Sequence, residues 1–580
     1  MPLSYTALSG TQWIAFDDVD SRADANAREN HISSILSKSL ARLTPPLNPG
    51  KDVDDFLHPS MAQYLDPYLM LNMDKAVDKL EHAIAHHTPI RIVTDYDVDG
   101  TMSSLILQAA LRLRGHQNVS YHIPDRKIEG YGFSMQAAQK AIDDAIPLII
   151  TADIGVRDEP AIAFAQSHGI DVIVLDHHIP EGGGVPPSAF AVVCPPQLGC
   201  TYPNAHLAAC GVSLKLAQAL LKNLPKYTQY IQSLSKLSAL GTVADVVSLR
   251  SLENRAIVST GLDALNHYES NNPGIKALLN ATRIQPGRVD AGKIAFNLGP
   301  IINAAGRMST ATLIIELLNS ANRVKAQGLA DQLSMMNDAR KTVQAFMLEE
   351  AKKCLKEDTQ PFLCIANPEC DTWMGSIAGI VAGRLREIFH KPVAVGTIEG
   401  EFVRGSIRST PGVHAVTALD HAADLMVRYG GHKAAAGFTC SVENFPEVKK
   451  RFSESASLQL DGKIEIETEE FIETFLPDDI SKNVFDELDK LEPCGSQNPR
   501  PNVCIKNVRL SRIDENSNAT YRALLKCNDL TLRLWLPASI GEHIAQILRQ
   551  PVLLFGKLEK DYFNGEQYMM RVQDVSLSIV

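Results

Sequence analysis

Acidic and imidazole side chains follow several apolar segments in the first half of the chain. The candidates are Asp95, Asp97 and Asp99 in TDYDVDG, Asp153 in TADIG, Asp176, His177 and His178 in LDHH, and Asp245 in GTVADVV. If these groups met, their negative charges would repel one another unless cations neutralised them. Oxygen-rich sites with some imidazole favour Mg²⁺ or Mn²⁺, and histidine shifts the preference toward Mn²⁺. Two such ions ~3.5–4 Å apart can activate a water molecule and stabilise the leaving oxygen of a phosphodiester.

A calcium-binding turn is the main alternative for the DxDxDG run. An EF-hand loop places a bidentate Glu six residues after its glycine. Here Ile106 occupies that position, and the run opens an apolar helix. The run is therefore better explained as part of a larger acidic site.

The elements around these residues predict that the side chains meet. From Ile90 onward, apolar strand-like segments alternate with helices of roughly 12 residues, a pattern typical of a parallel, doubly wound sheet. Ligands of such sheets bind outside the carboxyl ends of the strands. The acidic positions are interpreted as four strand ends that converge on one crevice.

The rest of the chain predicts three further regions. Residues 205–345 are mostly helical in pattern, and a second α/β unit begins near Pro361 and includes a helix over residues 414–430. Residues 503–580 show five short strands and one helix, which suits a small barrel such as an OB-fold. Residues 1–80 are rich in proline and predict an irregular lead-in that packs on the next domain.

Composition is that of an ordinary globular protein, with 45% hydrophobic and 21% charged residues. The net charge is −11, but residues 461–500 carry 12 acidic and 4 basic side chains, so −3 remains for the rest. A nucleic-acid partner is therefore not excluded.

The N-terminus lacks the pattern of a secretion signal, no apolar run would span a membrane, and the ten cysteines form no CxxC pair. The cytoplasm is the predicted location.

The motifs together resemble the RecJ family of the DHH phosphoesterase superfamily. DYDVDG, TADIG, DHH and GTVADVV resemble four successive DHH motifs, and FNLGPIINAAGRMS, RGSIRS, GGHKAAAGF and LEPCGSQNPRPNV resemble further RecJ motifs. The resemblance implies an α/β fold with a doubly wound parallel-sheet DHH domain, a helical linker, a smaller α/β DHH-associated domain and a C-terminal OB-like barrel. The predicted bounds are 1–80 for the lead-in, 81–250 for the DHH domain, 251–355 for the linker, 356–455 for the DHH-associated domain and 456–580 for the barrel.

The resemblance also implies an activity and partners. It predicts a 5′→3′ exonuclease specific for single-stranded DNA that releases 5′ mononucleotides by a two-metal mechanism, in DNA repair and recombination. Two divalent cations, Mn²⁺ or Mg²⁺, are the expected cofactors. Single-stranded DNA is the expected substrate, and a single-strand-binding protein and a RecQ-type helicase are candidate partners of a monomer.

Roles are carried over by resemblance to positions that match the motifs. The implied metal ligands are Asp95, Asp97, Asp99, Asp153, His177 and Asp245. Asp153 would bridge both ions, Asp176 would orient His177, and His178 would face the scissile phosphate. The implied substrate-binding residues are Arg126, Tyr131, Asn303, Arg307, Arg404, Ser406, Arg408, Ser409 and His432.

Three features leave alternatives open. Ile154, the Trp373–Ser376 segment and AACGVS depart from the family pattern, which puts the role of the 373–376 loop in doubt. A nano-RNase, a 3′-phosphoadenosine phosphatase or a manganese pyrophosphatase would resemble only the first domains and be shorter. An inactive scaffold would have lost the carboxylates.

The barrel is expected to be separable, so that its deletion weakens strand binding more than hydrolysis of short oligonucleotides.

Overall fold

The computed structural model describes residues 3–16, 22–125, 129–180, 182, 184–461, 468–516, 520–562 and 565–577. The chain divides into two compact units. The larger unit comprises residues 1–303, 311–330 and 466–580, and the smaller unit comprises residues 304–310 and 331–465.

A five-stranded parallel sheet forms the first α/β layer of the larger unit. Its strands are β3 (Ile90–Thr94), β4 (Val119–His122), β5 (Leu148–Ala152), β6 (Asp171–Leu175) and β7 (Ala191–Val193). The strand order β4-β3-β5-β6-β7 places a topological switch point between β3 and β5. Strands β3 and β5 are buried along their whole length, as expected for a sheet covered on both faces. The connecting helices are α5 (Val98–Leu113), α6 (Met135–Asp143) and α7 (Glu159–Ser167).

A mainly helical region follows the sheet. Its helices are α8 (Ala209–Leu221), α9 (Tyr227–Ala244), α10 (Leu252–Asn266), α11 (Pro273–Ala281), α12 (Ala291–Lys293), a π-helical turn (Ile294–Leu298), α13 (Gly299–Met308), α14 (Thr312–Asn319) and α15 (Arg323–Leu355). Helices α8 and α9 both pack against α5.

The smaller unit contains a second α/β layer. Its elements are β8 (Leu363–Pro368), α16 (Gly375–Phe389), β9 (Val393–Glu399), β10 (Phe402–Arg408), α17 (Ala415–Asp420), β11 (Met426–Gly431), β12 (Ala435–Ser441) and α18 (Phe445–Leu460). The sheet order is β11-β12-β10-β9-β8. The helix predicted over residues 414–430 is wrong beyond Asp420, because Met426–Gly431 pairs with β12 as an edge strand. Pairing overrides the helical pattern where β-forming Val427 and Tyr429 precede two glycines.

A seven-stranded sheet forms the C-terminal part of the larger unit. The elements are β13 (Thr468–Phe471), β14 (Thr474–Phe475), α19 (Lys482–Asp489), β15 (Val503–Val508), β16 (Asp514–Glu515), β17 (Tyr521–Lys526), β18 (Thr531–Leu536), α20 (Ile544–Ile547), β19 (Val552–Asp561) and β20 (Gln567–Ser576). The sheet order is β14-β15-β19-β20-β18-β17-β16, with mostly antiparallel neighbours. The predicted fold class, with two α/β layers, a helical region and a C-terminal β domain, is confirmed.

The N-terminal segment is ordered, and the prediction that it is irregular is wrong for its described residues. It forms β1 (Ser4–Thr6), β2 (Gln12–Ala15), α1 (Arg22–Asn30), α2 (Ser34–Ala41), α3 (Lys51–Leu57) and α4 (Met73–Ala85). Strand β2 pairs in parallel with β13, and Trp13 stacks on Phe555 of β19 at 4.9 Å. Leu36, Leu40 and Phe56 share one apolar core with the C-terminal β domain. Sequence periodicity missed this packing because the partners lie at opposite ends of the chain.

Candidate metal centre and phosphate-binding site

The register of the parallel sheet brings three acidic positions to one edge. Thr94 pairs with Ala152, and Ala152 pairs with Leu175, so Asp95, Asp153 and Asp176 each follow a paired residue. Asp153 has a positive φ of 66°, a left-handed conformation that Asp and Asn tolerate better than most residues. The sheet therefore fixes the backbone from which the candidate ligands project.

Asp95, Asp97 and Asp153 form the first group of candidate ligands. Each offers an oxygen within 4.8 Å of the others. Asp97 also caps α5, because its Oδ1 accepts a hydrogen bond from the Gly100 amide at 3.1 Å. A Cβ on Gly100 would lie 2.4 Å from the carbonyl oxygen of Asp95, so glycine is required where the first turn of α5 closes on this group.

Asp99, His177 and Asp245 form a second group, which shares no residue with the first. The Nε2 atom of His177 lies 3.7 Å from Asp245 Oδ2 and 3.9 Å from Asp99 Oδ2. It also lies 3.3 Å from Asp153 Oδ1 of the first group, so the two groups are adjacent. Among the described residues this buried nitrogen has no hydrogen-bond partner, although carboxylates surround it. A cation between them would satisfy both kinds of ligand.

Asp245 is not at a strand end, which corrects the prediction of four strand ends. It is the C-cap of α9, whose last turn approaches the sheet edge from the helical region. One turn earlier, a Cβ on Gly241 would lie 2.5 Å from Cys210 Sγ and 2.8 Å from Asp99 Oδ1. Gly241 therefore allows the close packing that delivers Asp245.

Asp99 also supports the start of α8. Its Oδ2 accepts from the Ala209 amide at 2.7 Å, and its Oδ1 accepts from the Cys210 amide at 2.9 Å. The N-cap of α8, Ala208, has no side chain that could make these bonds. Sequence analysis missed this link, although an apolar helix that begins without a capping side chain could have signalled it.

Asp176 orients His178 rather than the His177 ring, which corrects the predicted role. Its Oδ1 lies 2.8 Å from Nδ1 of His178 and accepts from the His177 amide at 2.7 Å. Its Oδ2 accepts from the Val156 amide at 3.0 Å. Burial raises the pKa of Asp176, but the hydrogen bond from His178, the charges of His178 and His177 and the bond from the Val156 amide together lower it, and the net pKa is lowered. Burial lowers the pKa of His178, but the hydrogen bond to Asp176 together with the negative charges of Asp176 and Asp99 leaves that pKa raised.

The carboxylates of the two groups oppose one another's ionisation. Burial and then the neighbouring carboxylates, Asp97 first, raise the pKa of Asp153 well above its ordinary value. Burial and Asp99 raise the pKa of Asp97, and burial with Asp99 and Asp97 raises the pKa of Asp245 to about 9. Burial lowers the pKa of His177, which keeps the ring neutral and able to donate a lone pair. These residues fit hard divalent cations with mixed oxygen and imidazole ligands.

Of the predicted substrate residues in the larger unit, Tyr131 lies beside the ligand groups. Its hydroxyl donates to the Asp153 carbonyl oxygen at 3.2 Å and lies 3.3 Å from His178 Nε2. The side chain is 51% exposed, so the ring can still contact another molecule. Asn303 is half-buried on α13, and Arg126 lies outside the described residues.

In the smaller unit, predicted phosphate-binding residues surround the start of α16. The Cβ position of Gly379 lies 3.0 Å from Arg408 Nη2 and 3.5 Å from Ser406 Oγ. Arg307 donates to the Ser376 carbonyl oxygen at 2.6 Å. The Ser376 hydroxyl, which was not among the predicted residues, is buried and has no hydrogen-bond partner within the described part of the chain. Burial and the nearby Arg386 lower the pKa of Arg408.

The other predicted residues of the smaller unit lie in different environments. Arg404 is on the same face of β10 but pairs with Glu399 at 3.1 Å. Ser409 is only 2% exposed, and its hydroxyl donates to the Val413 carbonyl oxygen at 2.6 Å. The Ser409 hydroxyl therefore closes a turn at the end of the strand instead of serving as the predicted donor to a phosphate. His432 lies in the exposed turn between β11 and β12.

Comparison with known proteins places this arrangement in a family. Three family models match: the DHH family N-terminal domain at residues 89–242, the DHHA1 domain at residues 364–457 and the RecJ OB domain at residues 474–574. The single-stranded-DNA-specific exonuclease RecJ of Dickeya dadantii is 34% identical over 426 residues, which are 70% of this chain and 73% of that protein.

The chain belongs to the RecJ family.

Other members of the RecJ family agree. The Bacillus subtilis single-stranded-DNA-specific exonuclease RecJ is 34% identical over 85% of this chain, but the match spans only 61% of that longer protein. The crystal structure of Thermus thermophilus RecJ in complex with Mn²⁺ superposes with a TM-score of 0.77 at 26% identity, covering 97% of this chain and 78% of that one. A second structure of that protein contains Mg²⁺.

These comparisons confirm three predictions. The RecJ OB match identifies the C-terminal β domain as the predicted OB-fold. The chain is a nuclease-family member. Its candidate ligand groups suit the Mn²⁺ and Mg²⁺ that its relatives bind. Within the described residues, no helix has the length and apolar character needed to cross a membrane.

Proposed function

We propose that this chain is a 5′→3′ exonuclease that hydrolyses single-stranded DNA to 5′ mononucleotides with two divalent cations. The observation that carries the proposal is the pair of adjacent ligand groups, Asp95/Asp97/Asp153 and Asp99/His177/Asp245, which have no member in common. Six ligands in two groups can hold two cations, as two-ion phosphodiesterases require. The activity named for the RecJ relatives supports the choice of substrate.

Each group supplies negative charge that one divalent cation would offset. Asp95, Asp97 and Asp153 would hold one cation, and Asp99, His177 and Asp245 would hold the other. When bound, the cations supply an activated water and stabilise charge on the phosphate and the leaving oxygen. The amides of Ala209 and Cys210 hold Asp99 in place, and Oδ1 of Asp153 lies 3.3 Å from His177 Nε2 of the second group.

His178 and Tyr131 would contact the scissile nucleotide. Asp176 accepts a hydrogen bond from Nδ1 of His178, so in the protonated ring the Nε2–H group can donate to a phosphate oxygen. The Tyr131 hydroxyl lies beside that nitrogen and can orient it, while its exposed ring can pack on a sugar or base. Neither residue needs to accept a proton for these roles.

Digestion of end-labelled strands tests the proposed activity. With Mn²⁺ or Mg²⁺, we expect mononucleotides to be released from the 5′ end of single-stranded DNA and little cleavage of a blunt duplex. RNA of the same sequence is compared in parallel. Equal digestion from the 3′ end, or cleavage limited to dinucleotides, would contradict the proposal and favour another DHH phosphoesterase.

The cationic face beside α16 supports the proposed 5′ polarity. Arg307 and Arg408 reach the first turns of α16, where the helix N-terminus also favours anions. Among the described residues no carboxylate pairs with Arg408. A terminal phosphate carries more charge than an internal diester, so we propose that this face binds the 5′-phosphate.

Arg307→Ala should reduce the preference for a 5′-phosphate over a 5′-hydroxyl. Charged hydrogen bonds contribute ~1.5–3 kcal/mol each, so two arginines predict a wild-type preference of about 10²-fold in kcat/KM and a variant preference about tenfold smaller. The measurement is kcat/KM on matched strands that differ only at the 5′ group. Arg384→Ala, which removes an exposed arginine paired with Glu387 on the same helix, is the control and should keep the preference. An unchanged preference in Arg307→Ala would refute the assignment.

Four predictions rest on the sequence and its family resemblance alone. They are a role in DNA repair and recombination, a single-strand-binding protein and a RecQ-type helicase as partners, a monomeric state, and a cytoplasmic location. The predicted domain bounds also stay predictions.

A further inference from the structure

The segment that follows Asp245 is fixed at its far end. Val246 has a positive φ of 58° and is 68% exposed, whereas Ser248 and Leu249 are buried. The Ser248 carbonyl oxygen accepts from the side-chain amide of Asn254 on α10 at 3.0 Å. Asp245 is therefore held between the end of α9 and an anchor three residues later.

That anchor contacts a loop from the distant end of the sequence, residues 491–498. The Ser248 hydroxyl donates to Gln497 Oε1 at 2.6 Å, and the Leu249 amide donates to the Ser496 carbonyl oxygen at 2.9 Å. Gly495 lies so close that an added Cβ would be 2.7 Å from Leu249 Cδ1. The 491–498 loop thus touches both anchoring residues.

The loop is internally braced. The Gly495 and Asn498 backbones exchange two hydrogen bonds, of 2.9 and 3.1 Å. The buried Asn498 side chain donates to the carbonyl oxygens of Leu491 and Pro493, each at 3.0 Å. Gln497 has the positive φ of 56° that this tight turn requires. These hydrogen bonds hold the loop in one conformation, so the loop can also hold the residues that it contacts in place.

Two buried arginines connect the loop to its surroundings. Arg255 of α10 donates to the carbonyl oxygens of Glu492, at 2.5 Å, and Pro493, at 2.9 Å, and its guanidinium lies 3.9 Å from the centre of the Phe56 ring. Arg500 donates to the Leu558 carbonyl oxygen of β19 at 2.6 Å and pairs with Glu492 at 3.1 Å. A continuous set of contacts therefore runs from the C-terminal β domain to the segment beside Asp245.

We infer that the 491–498 loop positions Asp245. In this loop, Gln497 fixes the position of Ser248 by accepting its hydroxyl hydrogen bond. The inference rests on the proposed function, in which Asp245 is a metal ligand. Ligand placement matters because supporting hydrogen bonds outside the ligand set commonly change metal affinity by 10- to 100-fold. Gln497 does not contact Asp245 directly but acts through Ser248, so we expect a smaller change in metal affinity.

Gln497→Asn in the full-length protein tests the inference. Asparagine accepts the left-handed backbone but is too short to reach the Ser248 hydroxyl. We expect the Kd of one of the two Mn²⁺ sites to be roughly 3- to 10-fold higher in the variant than in the wild type. Calorimetric titration with Mn²⁺ in the absence of DNA measures this Kd. Activity should recover at high Mn²⁺, with an unchanged kcat and a shifted Mn²⁺ midpoint. Gln497→Glu keeps an acceptor for Ser248 and should restore the wild-type midpoint.

Two controls separate the possible failures. Ser33→Ala removes another serine hydroxyl bond, to Glu487 Oε2 at 2.5 Å, in the same unit and should leave Mn²⁺ binding unchanged despite a similar loss of thermal stability. Asp245→Asn should remove one Mn²⁺ site. If Asp245→Asn weakens binding but Gln497→Asn does not, the positioning role is wrong and the proposed function stands. If Asp245→Asn leaves both Mn²⁺ sites unchanged, the proposed ligand set itself is wrong.

Discussion

Asp153→Asn is expected to lower kcat on single-stranded DNA by at least about 10³-fold, because Asp153 belongs to the first ligand group, lies next to the second and also offers an oxygen beside His177 and His178. Asparagine suits the left-handed backbone at this position better than alanine does, so the fold should persist. Single-turnover cleavage of a labelled oligonucleotide at saturating Mn²⁺ provides the measurement.

Thermal unfolding provides a second readout for the same variant. Burial and neighbouring carboxylates destabilise the Asp153 charge, so the metal-free variant should be at least as stable as the metal-free wild type. Ligand at 100 times its Kd stabilises a protein by about 2.7 kcal/mol, and the variant should lose much of this Mn²⁺-dependent gain. Asp171→Asn is the control and should keep activity, because Asp171 lies at the amino end of β6, away from the carboxyl ends that carry the ligands. Activity of Asp153→Asn within tenfold of wild type would refute the two-ion proposal.

Deletion of residues 468–580 is expected to prevent stable folding of the larger unit, contrary to the sequence-based expectation of a separable barrel. The deletion exposes apolar side chains of the N-terminal segment, which are Ile35, Leu36, Leu40, Leu43, Leu47, Val53 and Phe56. At ~1.5–3 kcal/mol for each fully buried large side chain, the loss is about 10 kcal/mol or more, as large as the whole stability of many domains. It also leaves the buried Arg255 without the Glu492 and Pro493 carbonyls.

Solubility, limited proteolysis and hydrogen exchange of residues 22–57 would measure this effect. Hydrolysis of short oligonucleotides should be lost together with binding of long strands, because the 491–498 loop is deleted as well. A soluble, cooperatively unfolding truncated chain that cleaves short oligonucleotides at the wild-type rate would show that the barrel is separable after all.

Local sequence was sufficient for the parallel sheet and for most of the candidate ligands. Asp95, Asp153 and Asp176 each follow a buried strand, and the parallel register brings their positions to one edge. The amphipathic pattern after Asp97 likewise predicted α5. These features depend on residues that are close in sequence, or on the general geometry of a parallel sheet.

Features that depend on distant partners could not be predicted. Asp245 is predicted at a strand end, whereas the close packing of Gly241 on Cys210 places it at the C-cap of α9. The preference of Asp176 for the His178 ring depends on rotamers that sequence does not reveal. Ser409 continues the alternation of RGSIRS in sequence, but its hydroxyl turns inward to Val413. Contacts between residues 12–57 and the C-terminal β domain leave no periodic signal.

The pairing of β2 with β13 has a consequence for synthesis on the ribosome. Gln12 and its partner Thr468 are separated by several hundred residues, so Gln12 is translated long before Thr468. At roughly 5–20 residues per second, the N-terminal segment waits on the order of tens of seconds for its partner strand. During that interval Trp13 and Phe56, both buried in the finished protein, lack their C-terminal contacts. Because Trp13 and Phe56 reach their buried positions only when the C-terminal strands are present, this N-terminal segment completes its packing late, after residues 468–576 have been synthesised.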